Sequence, residues 1–187
     1  GLQSYIICPM IEENEKMEMQ AVLSYTEALQ QKAAEYRISC VHGKMKAKEK
    51  QQVMEEFAKG NIDILVSTTV IEVGINVPNA VIMLIENAER FGLAQLHQLR
   101  GRVGRGSEKS YCILINEGKS KVAKQRMNVM TKSSDGFVIS EMDLKLRGPG
   151  EFFGTKQHGL PELKIGNLYK DMAILKEAQK AAQELLQ

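Results

Sequence analysis

Five short, largely apolar runs recur along the first 116 residues, and between them the apolar positions follow a helical spacing. Most positions within each run are apolar instead of alternating with polar ones, as is typical of strands that are buried on both faces. The predicted strands are residues 4–8, 37–41, 62–66, 80–85 and 110–115. Alternation of such strands with helices predicts an α/β fold, a parallel β-sheet flanked by helices.

Composition narrows the class of protein. The chain has 187 residues, 43% of them hydrophobic and 26% charged, which is typical of a globular protein with one full core and a smaller appendage,. No apolar run reaches the length of about 18 residues that a membrane span requires, and the first ten residues do not resemble a signal peptide,. The cysteines are widely spaced and odd in number, which predicts reduced thiols at Cys8, Cys40 and Cys112,.

The texture of the sequence changes after residue 116, so we predict a core domain at 1–116 and an extension. A basic helix is predicted at 119–130, a capping box at 140–143 and a helix end at Arg147–Gly148,. A glycine-containing loop follows at 151–159, and an amphipathic helix at 168–186,. The predicted domains are 117–160, a helical hairpin and loop, and 161–187, a helix packed on the core or on a missing domain. A first strand without any lead-in suggests that the chain was cut from something larger.

The run 95–106, QLHQLRGRVGRG, carries the most specific chemistry. If it is helical throughout, one face carries Gln98, Arg102 and Arg105, and the other face carries Leu96, Leu99 and Val103,. Two guanidinium groups flanked by glycines suit recognition of a multiply charged phosphate. A surface helix with solvated arginines is the alternative. In a parallel sheet, ligands bind at the carboxyl ends of the strands. We therefore expect His42–Gly43, the turn 67–69 with its extension to Asn76, and the approach to Gln98 at one rim, with the motif arginines exposed at the rim.

A phosphate loop of the form GxxxxGK[ST] is absent from the sequence, as is a GxGxxG dinucleotide fingerprint,. The three histidines are scattered and have no partners at metal-ligand spacing, so no metal site is predicted,. The chain therefore has arginines suited to contacting a phosphate but lacks the loop that binds a nucleotide phosphate.

Three segments resemble, in order, the second RecA-like domain of superfamily 2 helicases. VHGKM resembles motif IV, STTVIEVGINVPNA resembles motif V, and QLRGRVGR matches the QxxGRxGR of motif VI. The resemblance implies a RecA-like, P-loop NTPase-like fold in which Arg102 and Arg105 reach ATP on another domain, Arg105 as arginine finger. It also implies nucleotide contacts by Gln98, Gly74 and Asn76, although Asn76 replaces the aspartate that is common in RNA helicases.

The segment RGPGEFFGTKQHG, together with the basic helix before it, resembles the translocation motif of the RecG family of branch-migration helicases. By this resemblance Arg126, Arg147 and Gln157 link ATP turnover to movement on duplex DNA. DNA contacts are also expected from two turns after strands, at residues His42, Gly43, Thr68 and Thr69.

The RecG resemblance implies ATP and Mg²⁺ as cofactors, bound mainly by an absent first RecA-like domain. It implies double-stranded and branched DNA as partners, such as forks and Holliday junctions, as well as the wedge and first RecA-like domains of the same protein. A bacterial cytoplasmic location without membrane contact is expected. Two alternatives remain open: the translocase domain of the transcription-repair coupling factor, which shares the motif, and a catalytically inert RecA-like adaptor.

Overall fold

The computed structural model describes residues 1–9, 15–68 and 76–147, and for residues 15–18 and 147 it describes only the backbone. The strands are β1 Gln3–Ile7, β2 Ile38–Val41, β3 Ile64–Ser67, β4 Ala80–Ile85 and β5 Tyr111–Leu114. The helices are α1 Glu15–Lys32, α2 Ala47–Ala58, α3 Leu93–Arg100, α4 Lys121–Lys132 and α5 Gly136–Arg147, with a 3-10 turn at Ala88–Arg90.

All five strands are parallel and form one sheet in the order β2-β3-β1-β4-β5. The first strand therefore lies in the centre, where Ile7 is paired with Ser67 on one side and with Ile85 on the other. The predicted α/β fold with a parallel sheet is confirmed. All five predicted strands are present, and β4 has the predicted bounds.

Helices cover the two faces of the sheet unequally. On one face Val22 of α1 packs with Ile6 and Val66, and on the other the ring of Phe57 in α2 lies 4.8 Å from that of Tyr5. The α1 face is open at the edge strand β5, where Tyr111 is 52% exposed and Ile113 is 43% exposed. Helices were expected to cover both faces of the sheet, but among the described residues the α1 face of β5 is uncovered.

Two local predictions are wrong. The polar, acidic composition of residues 12–18 predicts a loop, but α1 already begins at Glu15, so its polar first turn is helical. The capping box predicted at 140–143 lies inside α5, which begins at Gly136. Asp135 starts this helix instead, since its Oδ1 accepts a hydrogen bond of 2.8 Å from the amide of Phe137,.

The chain divides into two compact units, residues 1–140 and 141–187. The described part of the second unit is the last turns of α5, where Lys145 and Glu141 form an ion pair of 2.7 Å. α5 is described as far as Arg147, the last described residue, so the helix end predicted at Arg147–Gly148 stays a prediction. The loop predicted at 151–159 and the helix predicted at 168–186 lie outside the described residues.

Each of the three cysteines is a free thiol. Burial and, to a smaller extent, the nearby Glu86 carboxylate raise the pKa of the Cys8 thiol to about 12, so this thiol stays protonated and unreactive,. None of the described helices is long and apolar enough to cross a membrane.

The amino ends of β2 and β3 are joined by a bidentate ion pair. Both carboxylate oxygens of Asp63 accept from the Arg37 guanidinium, at 2.7 and 2.9 Å, and Oδ2 also accepts from the Arg37 amide at 2.8 Å. These hydrogen bonds lower the pKa of Asp63 to about 2.

We expect Asp63→Asn to be less stable than the parent chain at neutral pH by a small amount, because the pair is solvent-exposed and screened. A depressed pKa stabilises the fold fully above the unfolded pKa of about 4, and this contribution is lost as the pH falls through about 2,. Urea unfolding of both proteins from neutral to acidic pH measures the stability gap. A gap as wide near pH 2 as at neutral pH would contradict this account.

Candidate nucleotide and nucleic-acid contact surfaces

The helix that carries the QxxGRxGR motif ends before its two motif arginines. α3 stops at Arg100 with Gly101 as its C-cap, and tight backbone hydrogen bonds from Arg102 to Leu99 and from Val103 to Arg100 follow. The prediction that Gln98, Arg102 and Arg105 share one helical face is therefore wrong. The physical reason lies at Gly104, whose left-handed φ of 77° turns the chain away from the helical path, whereas the C-cap Gly101 keeps an ordinary φ of −69°,.

The apolar side of the motif was predicted correctly. Leu96, Leu99 and Val103 are 0%, 7% and 8% exposed and fix the motif against the core. Gln98 is exposed on α3, Arg102 is half-buried and Arg105 is exposed. Both arginines thus extend from a turn whose backbone is anchored by buried neighbours.

The motif turn lies at the amino ends of the strands. A Cβ on Gly106 would lie 2.6 Å from the carbonyl oxygen of Pro78, which stands two residues before β4. β5 begins only a few residues later, at Tyr111, which pairs with Ile82 of β4. The expectation that the motif shares the carboxyl rim with His42–Gly43 is therefore wrong, since α3 carries the chain back across the sheet.

The guanidinium groups of Arg102 and Arg105 both act on one buried phenol. Burial raises the pKa of Tyr5 to about 12, and the positive charges of Arg102 and then Arg105 oppose that rise. Both charges therefore lie within electrostatic reach of the same point beside β1. Arg105 is partly positioned by its own turn, since its Nε donates a 2.9 Å hydrogen bond to the carbonyl of Gly101.

The motif V segment reaches the same end of the sheet. Asn76 is exposed, the adjacent Val77 is 2% exposed, and Pro78 contacts the motif turn at Gly106. Asn76 thus stands two residues before Pro78, which lies against the turn that carries Arg102 and Arg105. Gly74, the other predicted nucleotide contact in this segment, lies outside the described residues.

The turns predicted to contact DNA follow β2 and β3, at the opposite end of the sheet. His42 is half-buried and Gly43 is exposed, with the turn closed by a 2.9 Å hydrogen bond from Lys50 Nζ to the Gly43 carbonyl. Thr68 is 0% exposed, and its amide donates to Val41 at 3.4 Å. The Thr68 hydroxyl therefore does not reach the surface in this arrangement, and Thr69 lies outside the described residues.

The predicted translocation residues differ in how far the structure describes them. Arg126 lies on the inward side of α4, in the same stripe as the buried Ala123 and Met130. Its Nε is buried and has no hydrogen-bond partner among the described residues. Arg147 ends α5, with only its backbone described, and Gln157 lies outside the described residues.

Several contacts that position the site escaped sequence reasoning. Tyr5 reads only as an apolar strand residue, and its proximity to the motif arginines depends on β1 being the central strand. Pro78 gave no signal beyond a turn. Arg100, which lies inside the motif, was passed over because the motif pattern leaves its position unspecified.

The arrangement can neutralise an anion. Two guanidinium groups and an exposed amide side chain at one end of the sheet suit phosphate oxygens. The described residues contain no group of three or more His, Cys, Asp or Glu side chains that could hold a metal ion. The described residues therefore supply positive charge for an anion and no metal site.

The left-handed conformation of Gly104 predicts that a side chain at this position destabilises the fold. Gly104→Ala should destabilise the fold by about 1–3 kcal/mol, because alanine is strained at this φ and its Cβ would lie 2.6 Å from Ser110 Oγ,. The matched control is Gly101→Ala, whose Cβ would meet nothing closer than 3.5 Å at an ordinary φ of −69°,. Urea unfolding measures the free energy of unfolding of both variants. An equal loss of stability in the two would contradict the role given to the left-handed φ of Gly104.

Two family models match parts of the chain. The sequence model of the helicase conserved C-terminal domain matches residues 1–107. A second model, described as ATP-dependent DNA helicase RecG, domain 3, C-terminal, matches residues 133–187. The two matches together take in the motif turn and most of the extension.

The chain is 52% identical to the ATP-dependent DNA helicase RecG of Staphylococcus epidermidis, an alignment that covers 100% of this chain and 28% of the relative. The RecG of Staphylococcus aureus is also 52% identical, with 27% of its length covered. The chain thus spans a little over a quarter of the length of these curated relatives. The resemblance to the RecG family is confirmed.

Among solved structures, RecG bound to a three-way DNA junction matches with a TM-score of 0.70 at 47% identity, over 94% of this chain and 22% of that one. Dbp5 of S. cerevisiae, bound to RNA and ADP BeF3, matches with a TM-score of 0.53 at 17% identity, over 78% of this chain and 38% of that one. The second likeness shows the fold alone. The predicted RecA-like α/β fold is confirmed.

Proposed function

Because the chain belongs to the helicase conserved C-terminal domain family, we propose that it is the C-terminal helicase part of a RecG-type, ATP-dependent DNA translocase. The observation that carries the proposal is the pair Arg102 and Arg105 on one turn, in a chain that has no phosphate loop. Such a pair is useful only across an interface with a domain that binds ATP.

The two arginines supply positive charge to a phosphoryl group in transfer. ATP and Mg²⁺ are held mainly by the first RecA-like domain of the longer protein, and closure of the cleft brings Arg102 and Arg105 onto the phosphates. Arg105 is the arginine finger, because it is the more exposed of the two, and such fingers contribute about 10³–10⁵ in rate in other phosphoryl-transfer enzymes. Gln98, Gly74 and Asn76 contact the nucleotide beside them.

Motif V connects the nucleotide end of the sheet to the DNA end. Thr68 follows β3 at the carboxyl ends of the strands, and Asn76 precedes β4 at the amino ends. The seven residues between them, 69–75, join the two ends directly. A displacement of Asn76 by the nucleotide is therefore passed through a short stretch of chain to the turns that contact DNA.

DNA is contacted through phosphates, which gives no sequence preference. His42, Gly43 and Thr69 contribute from the turns after β2 and β3, whereas Thr68, also expected there, is fully buried and its amide donates to Val41, so it lies behind this contact surface. Arg126, Arg147 and Gln157 link the hairpin and loop to movement along the duplex.

The proposed organisation has a helicase domain at 1–116, a translocation hairpin and loop at 117–160, and a terminal helix at 161–187. Its partners are the first RecA-like domain and the wedge domain of the same protein, and double-stranded or branched DNA. The RecG name of the relatives and of the junction-bound structure supports this proposal. Identity of 52% over the whole chain favours RecG over the transcription-repair coupling factor, and the complete QxxGRxGR motif speaks against an inert adaptor.

The test is ATP-dependent remodelling by the full-length protein. We expect it to convert a labelled three-way junction or fork to duplex products and to leave linear duplex of the same length unprocessed. The non-hydrolysable analogue AMP-PNP should support no conversion. Absence of ATP-dependent conversion of any branched substrate, by protein that binds that substrate, would overturn the proposal.

A further inference from the structure

Arg100 joins the motif helix to a second helix through its side chain. Its Nη1 donates hydrogen bonds of 2.8 Å to the carbonyl oxygens of both Met130 and Ser133. Its Nη2 lies 3.0 Å from Nδ1 of His97, one turn earlier on α3. The half-buried guanidinium thus binds three acceptors at once.

The two carbonyls belong to the end of α4, which runs from Lys121 to Lys132 with Ser133 as its C-cap. The last carbonyls of a helix have no partner within the helix, and they carry the negative end of its dipole. A guanidinium placed there satisfies two acceptors and neutralises that dipole. Arg100 therefore acts as the cap of a helix to which it does not belong.

His97 extends the contact to the start of α5. A guanidinium can only donate, so His97 Nδ1 accepts and the ring proton lies on Nε2. That nitrogen faces Gly136, the first residue of α5, on which a Cβ would lie only 3.1 Å from it. The last turn of α3 consequently touches both the end of α4 and the beginning of α5.

The contact lies beside the phosphate-binding turn in the sequence. Arg100 precedes Arg102 by two residues, and the intervening backbone is held by hydrogen bonds from Gly101 to His97 and from Arg102 to Leu99. The hydrogen bonds of Arg100 to Met130 and Ser133 thus continue this anchored backbone into the turn between α4 and α5.

We propose that Arg100, oriented by His97, is a positioning residue that couples the nucleotide-contacting turn to the α4–α5 hairpin. The proposal rests on the proposed function for its catalytic consequences. The mechanical link itself stands on the three hydrogen bonds of the guanidinium. A residue that merely stabilised the fold would affect hydrolysis and remodelling together.

The first experiment measures coupling in the full-length protein, as junctions converted per ATP hydrolysed. Arg100→Ala should keep most of its DNA-stimulated ATPase and lose about tenfold or more in conversion per ATP. Arg100→Lys should resemble alanine, because an ammonium group lacks the planar fork that reaches all three acceptors. The matched control, Arg90→Ala, removes an exposed arginine on the turn before α3 and should match the parent. A proportional loss of both activities, or no loss in either, would overturn the proposal.

The second experiment does not depend on remodelling. Hydrogen exchange of amides 129–137 is compared with and without ADP and beryllium fluoride, in the parent protein and in Arg100→Ala. We expect the nucleotide analogue to change exchange in this turn of the parent and to leave it unchanged in the variant. An equal change in both proteins would refute the link even if the parent remodels DNA. Loss of junction conversion by the parent, with the exchange effect intact, would instead refute only the proposed function.

Discussion

Arg105→Ala in the full-length protein is expected to lower DNA-stimulated ATP hydrolysis by about 10³-fold or more, with DNA affinity almost unchanged. The exposed Arg105 guanidinium extends from a turn at the amino ends of the strands. The turns proposed to contact DNA follow β2 and β3 at the other end. Removal of the guanidinium therefore takes away charge at the phosphoryl group without touching the DNA surface. Steady-state ATPase and fluorescence anisotropy with a labelled junction measure the two effects.

Two controls make this result specific. Arg105→Lys keeps one positive charge but loses the bidentate fork, so it should recover only part of the activity. Arg90→Ala removes an exposed arginine elsewhere and should retain full hydrolysis. Parent-like ATPase in Arg105→Ala, or a loss of DNA affinity as large as the loss of ATPase, would contradict the assigned role.

The isolated 187-residue chain is expected to hydrolyse ATP at least about 10³-fold more slowly than the full-length protein, both with and without DNA. The chain has no phosphate loop to bind the β- and γ-phosphates,, so the two arginines have no bound substrate to act on. A phosphate-release assay on matched molar amounts of both proteins provides the comparison.

Contamination by other ATPases is the main source of a false signal in that comparison. The isolated Arg105→Ala chain, purified in the same way, is therefore the control. Turnover by the isolated parent chain that disappears in this variant would mean that the chain binds and hydrolyses ATP alone. That result would contradict the proposal that Arg102 and Arg105 act on ATP bound by another domain.

The fold was predictable because burial leaves a strong mark on the sequence. A run such as 80–85, AVIMLI, can only be accommodated where both faces of a strand are covered, and β4 has those bounds,. The spacing of Val53, Met54 and Phe57 predicts one inward face for α2, and Met54 and Phe57 are 1% and 0% exposed,. Strand–helix alternation then leaves few topologies other than a parallel sheet.

The site was less predictable because its geometry depends on where a helix stops. Residues 95–105 have a helical apolar pattern, and Leu96, Leu99 and Val103 are indeed buried. Periodicity does not register that Gly101 ends the helix or that Gly104 is left-handed. The rim was also misjudged, although a helix that follows a parallel strand necessarily returns the chain to the amino ends before the next strand begins.

Individual side chains were the hardest to predict. Thr68 stands in a polar cluster that reads as an exposed turn, yet it is fully buried, because the last strand residue and its successor are enclosed by neighbouring strands. The role of Arg100 depends on the carbonyls of Met130 and Ser133, which lie 30 and 33 positions away in the sequence. Contacts of that range follow from tertiary packing and leave no local pattern.

The most direct test of the shared nucleotide site is a crystal structure of the full-length protein with ADP, Mg²⁺ and aluminium fluoride. We expect the Arg105 guanidinium within hydrogen-bond distance, about 3 Å, of the fluoride ligands, which stand in for the phosphoryl group in transfer. The Arg102 guanidinium should contact the same group. The nucleotide itself should be held by another domain of the protein. A bound transition-state analogue that neither arginine contacts, in a closed cleft, would contradict the central claim.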